Sequence, residues 1–307
     1  MNLRVFQCAM WSLVFIALFK YGHAFYLEYC ELLDISYPLN DSTIHWPTVE
    51  GFTHETVFKG NHEAGYYYEN YNIRMSEHTG THIDAPIHFA EGKHSVDEIK
   101  PFTLIGEACV VDISSKARVN PNYQLTIGDL ETWERDNRAF TDDCIVIVHT
   151  GWGAYWSDKT KYLGTNTTDT SKLRFPGVLP AAAEWLVSER NIKSIGIDTA
   201  SIDHGQSTNF ETHIVLAQAN RPIIENLRNT EKLPARHASI LATTLPISGG
   251  SGSPARVLAY GWTGPEDACR RHKYSSASAA FSGSNSIIWN QLNIVFLVIA
   301  VHLYWIL

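Results

Sequence analysis

His78, His82, Asp84 and His88 fall within eleven consecutive positions of the segment His-Thr-Gly-Thr-His-Ile-Asp-Ala-Pro-Ile-His-Phe, residues 78–89, and these residue types are ligands for divalent metals. Scattered on a surface, they would gain little from being close together. Buried without a partner, they would leave several polar groups unsatisfied. A bound cation answers both objections. All four positions are even-numbered, so an extended strand would aim the four side chains at one face. A helix would pair only His78 with His82, and Thr79, Gly80, Thr81, Ile83 and Pro86 are poor helix-interior residues. In a straight strand the same four residues span roughly 13 Å, too far for two rings to reach one ion at about 2.1 Å. The segment must therefore bend, and Gly80 is where it can. Beyond the bend, His82 and Asp84 lie about 7 Å apart on one strand face and can share an ion.

The elements that must hold this segment follow from pattern. Residues 32–37 read as a first strand, and residues 66–75, rich in aromatics, as a strand leading into the motif. Trp46 precedes Pro47, which favours an extended or turn backbone and a ring projecting from a loop. Residues 107–113 form a strand, and residues 126–135 a helix opened by the capping pair Thr126 and Asp129. The near-continuous apolar run 144–149 is that of a strand covered on both faces. A polar loop extends to about residue 172. Pro180 then opens a helix through residue 189, and residues 194–197 form a short strand. Strands alternating with helices indicate an α/β or α+β domain. No linker, repeat or composition break appears between residues 25 and 262, so one domain spanning residues 25–272 is expected.

Composition bounds the function. The 307 residues are 45% hydrophobic and 12% aromatic, enough for a sizeable core, and include 14 histidines. The formal net charge of −8 and the absence of a Lys/Arg-rich run exclude a nucleic-acid partner. Arg4 followed by an apolar run to Phe19 and by Gly22-His23-Ala24 reads as a signal peptide over residues 1–24. Residues 273–307 pass from Ser, Ala and Gly to a short apolar tail, the pattern of a GPI-attachment signal, with a membrane span starting near Ile287 as the alternative. These ends place the protein in the secretory pathway and at the cell surface, held to the membrane by its C-terminal anchor. The four remaining cysteines, Cys30, Cys109, Cys144 and Cys269, allow three pairings, and only proximity to the two domain ends suggests Cys30 with Cys269. Asn40 and Asn166 head glycosylation tripeptides.

A second set of candidates lies downstream. Residues 198–206, Asp-Thr-Ala-Ser-Ile-Asp-His-Gly-Gln, follow the 194–197 strand at the carboxyl end, where α/β sheets place ligands. His213 opens a helical stretch. Glu225 interrupts an apolar run after Pro222-Ile-Ile and must be exposed or paired; a metal would pair it. Gly249 to Ser253 is a Gly/Ser loop whose N–H groups are candidates to face a substrate.

The motif resembles the H-x-G-T-H-x-D-x-P-x-H-F signature of the cyclase family, which includes bacterial-type kynurenine formamidase and isatin hydrolase. The resemblance takes in Trp46-Pro47, Thr150-Gly151-Trp152, Phe175-Pro176-Gly177, residues 198–203, His213, Glu225 and residues 249–254. It implies a swivelling β/β/α fold, usually oligomeric. It also implies that His78, His82 and Asp84 hold a first metal, that Asp84 bridges to a second bound by His213, and that Glu225 contacts both. His88 would move the proton and Trp46 touch the substrate. Residues 203–206 look closer to the isatin-hydrolase branch, where a single manganese is expected, so Zn²⁺ or Mn²⁺ and one ion or two remain open. The expected chemistry is hydrolysis of a small aryl formamide or cyclic amide by acidified water, with His88 carrying the proton. The alternative from another class is a non-catalytic surface protein for binding or adhesion that keeps the fold. All six site residues being present argues against it.

Overall fold

The computed structural model describes residues 32–261; the expected signal peptide, Cys30, Cys269 and the 273–307 segment lie outside the described residues. The apolar runs become neighbouring parallel strands. Ile105–Asp112 (β5), Cys144–His149 (β7), Ser194–Ile197 (β9) and Ile223–Glu225 (β10) pair in that order. In β7 the alternate residues Val146 and Val148 face one apolar cluster and Ile145 and Ile147 the other. Burial on both faces is why the segment reads as continuous rather than alternating.

The sheet is completed antiparallel. Leu32–Asp34 (β1), His82–Asp84 (β4), Ser239–Thr244 (β11) and Gly252–Tyr260 (β12) give the order β1-β12-β11-β5-β7-β9-β10-β4. A further β12–β4 pairing closes seven of these strands into a ring. The outer edge of β12 is shared: Gly252–Pro254 faces β4 and residues 258–260 face β1. One face of the sheet is covered by Ile127–Asn137, Pro180–Ser188 and Glu211–Gln218, which contribute Leu130, Trp133, Ala183, Leu186 and Leu216 to the core. Ser114–Val119 and Lys159–Leu163 are shorter helices; in chain order the five are α1 to α5. This is the expected mixed α/β fold, and all described residues belong to one compact unit.

Local differences from expectation have local causes. The first strand stops at Asp34 because its carboxylate accepts Ser36 N–H at 3.0 Å and turns the chain. The expected polar loop before residue 172 carries α3 (Lys159–Leu163), capped by Asp158 and anchored by buried Tyr162 and Leu163. Helix α5 starts at Glu211, two residues before His213. Thr53–Asn61 (β2) was not expected; it pairs with Tyr67–Arg74 (β3) in a separate two-stranded ribbon exposed on both sides, with Val57, Tyr67 and Ile73 each more than half exposed. Two short strands, Gln124–Leu125 (β6) and Gly177–Val178 (β8), form a third, separate pair.

Cys109 on β5 and Cys144 on β7 form a buried disulfide, Cα–Cα 5.8 Å, which decides two of the four cysteines. It closes a 35-residue separation. Replacing both cysteines by alanine should cost about 3–4 kcal/mol of unfolding free energy in urea titrations. The Thr126–Asp129 pair forms the expected capping box, with Thr126 Oγ1 accepting Asp129 N–H at 3.2 Å and Asp129 Oδ2 accepting Thr126 N–H at 2.8 Å. Burial alone would raise the Asp129 carboxyl, but Lys116 and Thr126 outweigh it and hold it below the usual value. A depressed folded pKa stabilises above the unfolded value and loses that effect as pH falls through the folded one. Asp129→Asn should therefore be less stable by about 1 kcal/mol at neutral pH. The gap should shrink as unfolding is measured below pH about 4.

Candidate metal centre and active site

Gly80 takes φ +65°, the left-handed bend the motif required, and its carbonyl turns back to accept from His82 Nδ1 at 2.9 Å. The chain then enters β4, whose three residues are all buried. Register does the rest. Antiparallel pairing sets His82 opposite Glu225 on β10 and Asp84 opposite both Ile223 and Gly252. A Cβ on Gly252 would come within 2.5 Å of His78 Cε1, so only glycine lets β12 approach this closely.

The five expected ligands converge. His78, His82 and Asp84 present ligand atoms within 4.8 Å of one another, and so do Asp84, His213 and Glu225. Asp84 belongs to both groups. Its Oδ1 lies 2.6 Å from His78 Nδ1 and 3.2 Å from His82 Nε2; its Oδ2 lies 3.3 Å from His213 Nε2. Glu225 reaches His82 Nε2 at 3.5 Å and His213 Nε2 at 3.3 Å through its two oxygens. The two groups share Asp84, and the residues present fit a divalent cation. Asp84 Oδ2 supports this directly: it is buried and makes no hydrogen bond, which an ion would correct. The all-imidazole and carboxylate donor set suits Zn²⁺ or Mn²⁺.

Each imidazole is oriented from behind. His82 Nδ1 faces the Gly80 carbonyl, which also accepts from Asn226 Nδ2 at 2.8 Å. His213 Nδ1 faces Asp203 at 2.6 Å, and Asp203 also accepts the His213 and Thr212 N–H groups. His78 Nε2 pairs with Ser251 Oγ at 2.9 Å, and Ser251 Oγ donates to Glu77 at 2.7 Å. The roles of Asp203, Ser251 and Glu77 were missed in the sequence. Asp203 sits ten positions before His213, and no periodicity links them. The expectation that residues 249–253 offer N–H groups to a substrate is corrected: those of Ser251 and Gly252 go to Glu77, that of Gly249 to Asp97 and that of Gly250 to the Ile247 carbonyl.

The electrostatics are those of a site short of positive charge. Burial opposes charge on His82, but Asp84 and Glu225 overcome it and lift its pKa to about 9. His213 is likewise raised, against burial, by Asp203, Asp84 and Glu225. Glu225 is pushed up by burial and by Asp84. His88 differs. Desolvation, helped by repulsion from His78, His213 and His82 and opposed by Asp84, brings it down to about 4, so it is neutral at pH 7. Its ring stacks on His78 at 4.0 Å, and its free face opens on the cavity.

That cavity, about 190 Å³, is lined by the five ligands and His88, with Trp46, Val49, Phe89 and Phe210 as apolar wall. Trp46 is half-buried and meets Phe210 edge-on at 6.2 Å. Asn40 and Asn166 are both exposed. A larger open cleft of about 1190 Å³ lies over His149 and Asp198 and contains none of the five ligands.

Residues 33–204 match the family model described as "Putative cyclase", so the chain belongs to the cyclase family. An isatin hydrolase from Roseibium aggregatum is 31% identical over 193 residues, covering 60% of this chain and 72% of the relative. A kynurenine formamidase from Bacillus cytotoxicus is 26% identical over 235 residues, covering 74% and 96%. The solved structure of isatin hydrolase A from Ralstonia solanacearum superposes with a TM-score of 0.68 at 33% identity, covering 76% of this chain and 92% of that one. Fold, donor set and relatives together define a metal-dependent hydrolase of that family.

Because Asp203 fixes the tautomer and angle of His213, Asp203→Asn should weaken Zn²⁺ or Mn²⁺ binding 10–100-fold in calorimetric titration of the metal-free protein. An affinity unchanged within twofold would separate His213 from the metal.

Proposed function

We propose that this protein cleaves the C–N bond of a small aryl formamide or cyclic amide. The observation that carries the reading is the pair of ligand groups sharing Asp84, with a neutral imidazole, His88, stacked on one ligand inside an aromatic-walled cavity. His78, His82 and Asp84 would hold a first ion and His213 a second, with Asp84 and Glu225 within reach of both groups. A divalent ion bound here supplies Lewis acidity, polarising a carbonyl and acidifying water. His88, uncharged at neutral pH, accepts the proton from water and returns it to the departing nitrogen. Trp46 and the phenylalanines exclude solvent and seat the flat part of the substrate.

Outside the pocket, the signal-like leader, the GPI-like tail, the exposed Asn40 and Asn166 tripeptides and the Cys109–Cys144 bridge support a glycosylated, surface-anchored protein. The two-sided exposure of the β2–β3 ribbon supports a homo-oligomer in which a second copy covers it.

The test is turnover of N-formylkynurenine and isatin by purified protein of measured metal content. His88→Ala should lower kcat/KM by 10²–10⁴ while metal content stays unchanged. Undiminished hydrolysis in that variant would remove His88 from proton transfer. No turnover by the metal-loaded wild type on either substrate would count against the assigned reaction.

A further inference from the structure

Phe210 holds a backbone conformation its side chain disfavours. It lies at φ 51°, ψ 41°, the left-handed region that a bulky residue occupies only under constraint. Seven non-glycine residues among those described have positive φ; four are Asn, with Arg138, His237 and Phe210 the others. Asn tolerates this region, and Phe210 is the one apolar residue in the set.

The constraint is visible. Phe210 N–H donates to Ser207 Oγ at 3.2 Å, and Ser207 Oγ donates to Asp203 at 3.3 Å. Asp203 also binds the N–H groups of Thr212 and His213 and the His213 ring. The clamp that aims a metal ligand thus also holds the residue three positions earlier. Helix α5 begins immediately after it, with Ile214 N–H donating to the Phe210 carbonyl at 3.0 Å.

The twist sets the ring among side chains from two other segments. Phe210 lies 5.3 Å from Phe89, 6.2 Å from Trp46 and 6.0 Å from His213, ring centre to ring centre, and all four line the cavity. Its polar surroundings would be met equally by a smaller residue, since only its backbone N–H and carbonyl take part in them. The ring itself is therefore what the strained conformation secures.

We infer that Phe210 is a specificity-determining residue: its left-handed backbone holds the ring as the wall that packs against the flat face of a substrate whose reacting carbonyl lies at the metal cluster. This deepens the proposed function and rests on that reading for the position of the carbonyl. Strain kept at this point selects for a planar group against a small or flexible one.

Three variants and two probes test it. Phe210→Gly relieves the backbone and deletes the ring; Phe210→Leu keeps the strain and deletes the ring. Strain is read against Phe210→Ala, which loses the same ring contacts but keeps a Cβ in the left-handed region: Phe210→Gly should melt about 2–4 °C above Phe210→Ala. By calorimetry on metal-loaded protein, Phe210→Gly and Phe210→Leu should bind benzoate at least tenfold more weakly than wild type, with formate affinity reduced by a smaller factor. With an aryl amide that the wild type turns over, the loss should fall on KM more than on kcat. If benzoate loses no more than formate in Phe210→Leu, the ring does not seat the substrate and the inference is overturned. A Tm for Phe210→Gly at or below that of Phe210→Ala overturns the strain half of it. Should the wild type hydrolyse no amide at all, the proposed reaction fails, while the benzoate-to-formate ratio still decides the role of Phe210.

Discussion

The structure depends on where three residues of backbone are inserted. Strand β4, residues 82–84, lies between β10 and β12, hydrogen-bonded to both. That single placement puts His82 beside Glu225, more than 140 positions later, and it closes the sheet. A one-residue slip would turn His82 and Asp84 away from the cluster and Ile83 into it. Register is secured by Ile83, fully buried in the core on the opposite face, and by Gly252, the only residue that the His78 ring leaves room for. Packing on one face thus fixes the chemistry on the other.

The cluster formed this way is electrostatically unfinished. Two buried carboxylates face three imidazoles, two of which burial alone would keep neutral but which the carboxylates pull towards the charged form. One carboxylate oxygen has no hydrogen bond at all. Supporting groups orient the imidazoles without neutralising the centre: a carbonyl behind His82, a carboxylate behind His213, a hydroxyl behind His78. This is the expected outer arrangement of a metal site, with each ring's second nitrogen fixed so the first is aimed.

The motif was legible because its chemistry and its geometry are both local. Four candidate ligands, the Gly80 bend and an extended segment beyond it can be argued from eleven residues; the bend and the strand are found, three of the four join one ligand group, and His88 stacks on His78 outside it. Strand β7 was legible for a similar reason, since two-sided burial writes an unbroken apolar run. Glu225 stood out as a carboxylate interrupting an apolar run, but its convergence with His213 on Asp84 was accessible only through a resemblance, because folding brings them together and that pairing is not encoded near either residue. A strand-rich end to the domain was legible, but β11 and β12 could not be placed individually: Ser, Thr, Gly and Pro in them weaken any strand pattern, and their pairing is set by neighbours on both sides. Asp203 and Ser251 act on ligands that are adjacent only after folding. The ribbon β2–β3 lacks a clean alternation because neither face is buried within the chain.

The closed ring also orders events in time. Chain made only as far as residue 204 already contains His78, His82 and Asp84, yet neither strand that flanks them exists. Contacts spanning so much sequence form slowly, since a long loop must be closed before any pairing rewards it. The donor set is therefore complete only once β10 is made, and the ring that encloses it only once β12, the last of the described strands, is made. A chain truncated before β12 holds all five candidate ligands and the β10 edge, yet lacks Gly252 and the strand that closes β4 into the ring.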